Sequence, residues 1–314
     1  MMPATQAPIR AAFALAFAAM PLCFAAANPA RAAEATVCAE VARRYELVKS
    51  EITSVQLNSV FFSAIEKGCE PLARDLLAAG AAVTARDRLG AMPLSYAARA
   101  RHLALIDMLL QQGAPIDARN LAGSTALYIA AENDRLPVVN RLLAKGADAK
   151  LPGRGDVTPI AAAAFKGNDR IVEALLAHGV DPNTLDKTGK TPIVYAAALG
   201  FTPVVRRLLD AGVGVNARYG NDLTVLMWAA GYADGAGALD AEAVVKLVLD
   251  RGADIDATDN RGRTALMIAA DAGHAGMIDL LLARGAQRDL KDKNGKTALD
   301  LAADNPARAK LRTQ

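Results

Sequence analysis

Histidine, cysteine and tryptophan are scarce in this chain of 314 residues, which has three histidines, three cysteines and one tryptophan. Metal sites and most acid–base centres are built from clusters of histidine, cysteine and carboxylate side chains, so few such sites can be assembled here. We therefore predict no metal site, no cofactor and no catalytic residue. An enzyme is only the third of the functions considered below.

Excess charge of one sign is also missing, because 36 Lys and Arg residues stand against 33 Asp and Glu residues. A nucleic-acid-binding protein needs a clear basic excess. The balance therefore excludes a nucleic-acid partner.

Apolar runs are short, with one exception near the start of the chain. The 17 residues "AAFALAFAAMPLCFAAA" follow Arg10 and precede Ala30-Arg31-Ala32. This pattern predicts a secretory signal peptide, residues 1–32, that is cleaved after Ala32. An uncleaved anchor is the alternative, which Pro21 and a length below the ~20 residues of a membrane span disfavour. We expect a periplasmic or secreted protein with no membrane contact after cleavage.

What the chain does contain is a repeated unit, seen in "TGKTPIVYAAALGFTPVVRRLLDAGVGVNAR", residues 188–218. Thr191 and Pro192 are typical of a helix start, with the Thr191 hydroxyl predicted to cap the helix, and Gly200 ends this short helix. A second apolar stripe at helical spacing follows and ends at Gly212, where a left-handed cap is expected. The unit therefore reads as helix, turn, helix and extended polar loop.

The unit recurs with a period of 33 residues, apart from one step of 40. The glycine after the second helix recurs as Gly80, Gly113, Gly146, Gly179, Gly212, Gly252 and Gly285. The threonine before the first helix recurs as Thr125, Thr158, Thr191, Thr224, Thr264 and Thr297. One such unit cannot bury its apolar faces alone, so the copies must stack into a solenoid.

These residues resemble the ankyrin repeat family, in "TPIVYAAALG" with "VVRRLLDAGVGVNA" and in "TALMIAADAGH" with "LLLARGA". The resemblance covers residues 56–314. It implies an all-α solenoid of about seven full repeats plus a C-terminal capping half-repeat, with hairpin-like loops. The family's first-helix histidine is replaced here by Ser95, Tyr128, Ala161, Val194, Met227, Met267 and Asp300. Its hydrogen bonds between neighbouring loops must therefore be absent or replaced.

Both ends of the array carry signs of capping. Residues 33–55 are predicted to form an N-terminal capping helix, with Val41, Tyr45, Val48 and Ile52 as its apolar stripe. The first repeat is degenerate, with Ser59 in the threonine position. At the other end Pro306 opens a helix with Arg308, Lys310 and Arg312 instead of an apolar stripe.

Cys38 and Cys69 remain once Cys23 leaves with the signal peptide, and we predict a disulfide between them. Cys38 lies in the predicted capping helix, and Cys69 lies in the turn of the first repeat that this helix should contact. Two separate thiols are the alternative.

Seven extra residues account for the one long step. They fall within residues 231–243, where they should enlarge the turn between two helices. This loop either contacts a partner or is a tolerated bulge.

The resemblance also implies a concave groove, lined by the hairpin tips and the first helices, that binds other proteins. The candidate partner-binding residues are Phe165, Lys166, Leu199, Tyr232, Arg154, Lys190 and Arg263. Aromatic side chains next to Lys or Arg are typical of interface hot spots. The alternative is a solvated face with scattered apolar residues. We expect a monomeric, non-catalytic scaffold in the periplasm that binds an unidentified protein, or alternatively a secreted effector that acts on a host protein.

Overall fold

The computed structural model describes residues 29–231, 240–302 and 306–312, and these residues form α-helices and loops without a β-strand. The predicted all-α fold is confirmed. Residues 1–28 of the predicted signal peptide and residues 232–239 of the insertion, including Tyr232, lie outside the described residues. The helices in the described part are α1 (Pro29–Val48), α2 (Ser54–Lys67), α3 (Glu70–Ala78), α4 (Pro93–Ala100), α5 (Leu103–Gln111), α6 (Ala126–Glu132), α7 (Leu136–Ala144), α8 (Pro159–Phe165), α9 (Asp169–Ala177), α10 (Pro192–Ala198), α11 (Thr202–Asp210), α12 (Val225–Gly231), α13 (Ala241–Asp250), α14 (Ala265–Ala272), α15 (Ala275–Ala283), α16 (Ala298–Leu301) and α17 (Pro306–Arg312).

From α2 onwards the helices pair, and each pair stacks on the next. The even-numbered first helices contact one another more extensively than the odd-numbered second helices do. The reason is an Ala-Ala pair that is fully buried in six successive first helices and lets their backbones approach: Ala97 and Ala98, Ala130 and Ala131, Ala163 and Ala164, Ala196 and Ala197, Ala229 and Ala230, Ala269 and Ala270. The first helices therefore form the more closely packed of the two layers. We call the face formed by the first helices and the hairpin tips the inner face.

The ends of the helices follow the predicted pattern. The hydroxyls of the N-cap threonines accept a backbone N–H three residues on in α6, α8, α14 and α16. Thr191 of α10 is an N-cap without this bond, so the hydroxyl cap predicted there is wrong. Each glycine after a second helix has positive φ, between 73° and 101°, in Gly80, Gly113, Gly146, Gly179, Gly212, Gly252 and Gly285. This conformation favours glycine and allows the chain to turn away from the helix.

Cys38 and Cys69 form the predicted disulfide, with their Cα atoms 5.3 Å apart. The bond fastens α1 to the turn between α2 and α3. In the full chain α1 begins at Pro29, so its first turn belongs to the predicted signal peptide. The predicted stripe is too long, because α1 ends at Val48, which is 47% exposed. Ile52 packs on the core from the following loop instead.

The first repeat begins earlier than Ser59 indicates. Thr53 caps α2, since its hydroxyl accepts the N–H of Gln56 and the Gln56 side chain accepts the N–H of Thr53. This reciprocal pair starts the helix one and a half turns upstream, and Ser59 lies inside it. At the other end, α17 buries Ala307 and Leu311.

A ladder of ion pairs joins the second helices on the outer side of the stack. Each pair links an arginine to a carboxylate of the preceding second helix: Arg141 to Asp107, Arg207 to Asp169 at 3.2 Å, Arg251 to Asp210 at 2.8 Å and Arg284 to Asp250 at 2.8 Å. Lys310 of α17 extends the ladder to Asp279 at 2.7 Å. These partly exposed pairs contribute about 0.2–1 kcal/mol each.

Candidate protein-binding surface

Five hairpin tips of the inner face are closed by a single acidic or amide side chain. One side-chain oxygen accepts the backbone N–H groups two and four residues further on, as Asp186 does from Thr188 at 2.7 Å and Lys190 at 3.1 Å. The same arrangement is found at Asp87, Asn120, Asp259 and Asp292. The hairpins are therefore fixed from within, which replaces bonds that the missing histidines would make.

Two of these hairpins are also bonded to the first helix behind them. The Tyr96 hydroxyl donates to Asp87 at 2.7 Å, and the Tyr195 hydroxyl donates to Asp186. Burial and the bond to Asp186 raise the pKa of Tyr195 to about 12. Burial alone would raise the pKa of Asp186, but the bonds from Tyr195 and the hairpin N–H groups outweigh it and lower that pKa.

Two hairpins lack this side chain and have a different shape. Gly153 and Tyr219 occupy the position, and a short 3₁₀ turn follows each of them, Arg154–Asp156 and Gly220–Asp222. At Gly153 a Cβ would come within 2.5 Å of the Tyr128 ring. Tyr128 thus fills the family's histidine position and requires glycine in the hairpin opposite.

Aromatic residues are rare in the sequence, yet several line the inner face: Phe62, Tyr96, Tyr128, Phe165, Tyr195 and Trp228. The rings of Phe62 and Tyr96 lie 5.0 Å apart, and those of Phe165 and Tyr195 meet edge to face at 5.7 Å.

Cations lie over these rings along the row. The Arg99 guanidinium is 4.8 Å from the Tyr96 ring centre. The Lys190 ammonium lies between two rings, 5.7 Å from that of Tyr195 and 6.0 Å from that of Trp228. Each such contact stabilises the positive charge. The inner face therefore presents alternating rings and cations.

Comparison with sequence families agrees with this architecture. Residues 61–152 and 160–259 match the model described as ankyrin repeats (3 copies), and residues 244–302 match ankyrin repeats (many copies). The chain belongs to the ankyrin repeat family. A comparison with curated proteins finds no match. Ankyrin repeats are interaction modules and are generally non-catalytic, so this chain is a protein–protein interaction scaffold.

The ankyrin array brings three of the candidate residues together. Phe165 is 47% exposed, and Lys166 lies over its ring at 5.7 Å. Arg154 lies in the hairpin before α8, and these three residues line one cavity of the inner face. Lys190 lies one repeat further along the face.

The other three candidates are placed differently. Leu199 is half-buried at the end of α10. The side chain of Arg263 is only 17% exposed and pairs with Asp271 at 2.8 Å. Tyr232 lies outside the described residues.

Sequence reasoning missed the tyrosines of this face. Tyr96, Tyr195 and Trp228 occupy one repeat position, directly after the histidine position. None of the three is among the residues predicted to bind a partner. Their shared spacing of multiples of 33 residues, together with the Lys or Arg nearby, was the signal that could have identified them.

The histidines have structural contacts. A His274 ring nitrogen lies 2.9 Å from the Ala230 carbonyl oxygen of the preceding repeat, and a His102 ring nitrogen lies 3.2 Å from that of Glu66. Across the part of the chain that is described, no helix has the length and apolarity to cross a membrane.

Proposed function

We propose that this ankyrin protein is an exported, non-catalytic scaffold that binds a partner protein through its inner face in the periplasm. The observation that carries the proposal is the row of rings and cations on the inner face, in which Phe165 remains 47% exposed. Tyr, Trp and Arg are the residues over-represented among interface hot spots.

Rigidity of the inner face supports the same proposal. Five hairpin tips are closed by a carboxylate or amide of their own, and the Tyr96 and Tyr195 hydroxyls bond two of them to the first helices. A surface that is already ordered loses less conformational entropy on binding, which favours affinity.

Export is supported by two observations. The sequence has an apolar run that ends in Ala30-Arg31-Ala32, and Cys38 is bonded to Cys69. Disulfides persist in oxidising compartments such as the bacterial periplasm. Intact mass of the protein from a periplasmic fraction tests this proposal: we expect a chain that starts at Ala33 and carries no free thiol. Recovery of the chain with Met1 from a membrane pellet would contradict it.

Partner binding is tested by capture from periplasmic extract on the immobilised protein, with matched variants. Phe165→Ala and Lys190→Glu change the inner face, whereas Arg206→Glu reverses an exposed charge on the outer helix α11. We expect the captured protein to be lost with the first two and retained with the third. Equal capture by all three variants would mean that the inner face is not the binding surface.

A further inference from the structure

A cavity of about 270 Å³ opens on the inner face between α6, α8 and α10. It is lined by Ala162, Val157 and the rings of Tyr128, Phe165 and Tyr195. At the cavity the row of rings has a gap, because Ala162 occupies the repeat position that Tyr195 and Trp228 occupy in later repeats.

The gap results from one small residue. The position of Ala162 is occupied in the other full repeats after the first by larger side chains: Tyr96, Ile129, Tyr195, Trp228 and Ile268. All of these are partly buried on the same layer of first helices. Alanine at this one position leaves a space about the size of a ring or branched side chain, and no neighbouring side chain occupies that space.

The interior of the cavity suits an apolar ring. The Tyr195 hydroxyl is already bonded to Asp186. Phe165 remains 47% exposed, and its ring meets that of Tyr195 edge to face. A further aromatic ring could extend this packing, and such pairs contribute beyond the area that they bury.

Within the described residues, the rim of the cavity is net basic. Arg154 and Lys166 stand at the rim together with a single acid, Glu132. Within the described residues neither cation is ion-paired with a carboxylate, in contrast to the arginines of the outer ladder. Charge complementarity therefore favours an acidic group from outside the chain.

We propose that this cavity receives an aromatic side chain of the partner protein, with an Asp or Glu of the same segment at Arg154 and Lys166. The proposal rests on the inner face being the binding surface. It adds the chemistry of the segment that is recognised and the residue, Ala162, that makes room for it.

The test uses a phage-displayed library of random peptides, selected on the immobilised full-length mature protein. Selected peptides are then measured by fluorescence anisotropy against variants. We expect enrichment of peptides with Phe, Tyr or Trp within two residues of Asp or Glu. Ala162→Ile fills the cavity with the side chain that two other repeats carry at this position, so the fold should be kept. It should weaken binding by at least about 30-fold, the size of a hot-spot loss.

Two further measurements keep the result interpretable. Replacing the peptide's aromatic residue with alanine should cause the same loss without changing the protein. The double variant Arg154→Glu, Lys166→Glu should weaken binding about 10-fold or more, while Arg206→Glu should not. Failure to select such peptides, or unchanged affinity for Ala162→Ile, overturns the proposal.

A further variant distinguishes failure of the cavity proposal from failure of the proposed function. If peptides bind Ala162→Ile normally but lose affinity for Arg99→Glu, at the Tyr96 end of the row, the inner face still binds proteins and only the cavity is wrong. If neither variant affects any selected peptide, the inner face itself is wrong.

Discussion

Loss of the Cys38–Cys69 disulfide should loosen one end of the array and leave the rest intact. The bond closes a loop with a sequence separation of 31 residues. For a loop of this length the chain-entropy model gives about 3.7 kcal/mol at 25 °C. In a linear stack each repeat is stabilised by its neighbours, so this free energy is lost mainly from α1, α2 and α3.

Hydrogen exchange with mass spectrometry on Cys38→Ala measures the effect directly. A loss of about 3.7 kcal/mol corresponds to a several-hundred-fold increase in the opened population of the N-terminal helices. We expect faster exchange in α1–α3 and unchanged exchange in α10–α15. Leu47→Ala, at a residue of α1 that is 75% exposed, is the control and should change nothing.

Two results would refute this reasoning. If exchange rises equally along the whole array, the stack unfolds as one unit and the local account is wrong. If α1–α3 exchange as in the wild type, or if both thiols of the native protein react with an alkylating reagent, the bond does not hold the cap.

Three further predictions follow from the contacts. The pKa of Tyr195 is raised from 10.0 to about 12, so the folded state holds this proton more tightly, and the resulting stabilisation is present below pH 10 and disappears between pH 10 and 12. Denaturation across this range should show that Tyr195→Phe loses less stability at alkaline pH than the wild type. An identical loss of stability would contradict the assignment. Arg207→Ala should lower the free energy of unfolding by about 0.5–1 kcal/mol in urea denaturation, and by less in 1 M salt. Arg206→Ala, at the exposed neighbouring residue, should leave it unchanged. Equal losses would mean that the ladder does not stabilise the stack. Deleting residues 233–239 should leave the thermal midpoint within a few degrees of the wild-type value, since α12 ends at Gly231 and α13 begins at Ala241. A drop above about 10 °C would show that the insertion stabilises the fold.

The fold was predictable because each repeat has the same residue types at the helix starts, helix ends and apolar positions. The 33-residue period, the threonine before the first helix and the glycine after the second recur with little change, and tertiary stacking agrees with them. Thr191 shows the limit of this reasoning, since the residue type occupies the N-cap without making the side-chain bond.

The ends of the array were harder to predict because their residues obey different constraints. A capping helix has one neighbour, so a short apolar stripe is enough, and α1 ends at Val48 while Ile52 packs from a loop. The true start of α2 depends on the pair Thr53 and Gln56, which lies outside the repeat phase.

The candidate site was only partly predictable. Phe165, Lys166 and Arg154 could be selected by phase, because exposure follows the position in the repeat. The cavity at Ala162 could not be predicted, because alanine is common in helices. The cavity exists only because other repeats carry larger side chains at this position. Arg263 could not be distinguished from an accessible cation before its pairing with Asp271 was seen.

The central claim is that a partner protein binds on the inner face, and hydrogen exchange of the complex with a captured partner tests it most directly. We predict slower exchange on binding in α8 and α10 and in the hairpins that contain Arg154 and Lys190, with no change in the outer helices α9 and α11. Protection that is confined to α9 and α11, or to the turns that join the helices, would contradict the account.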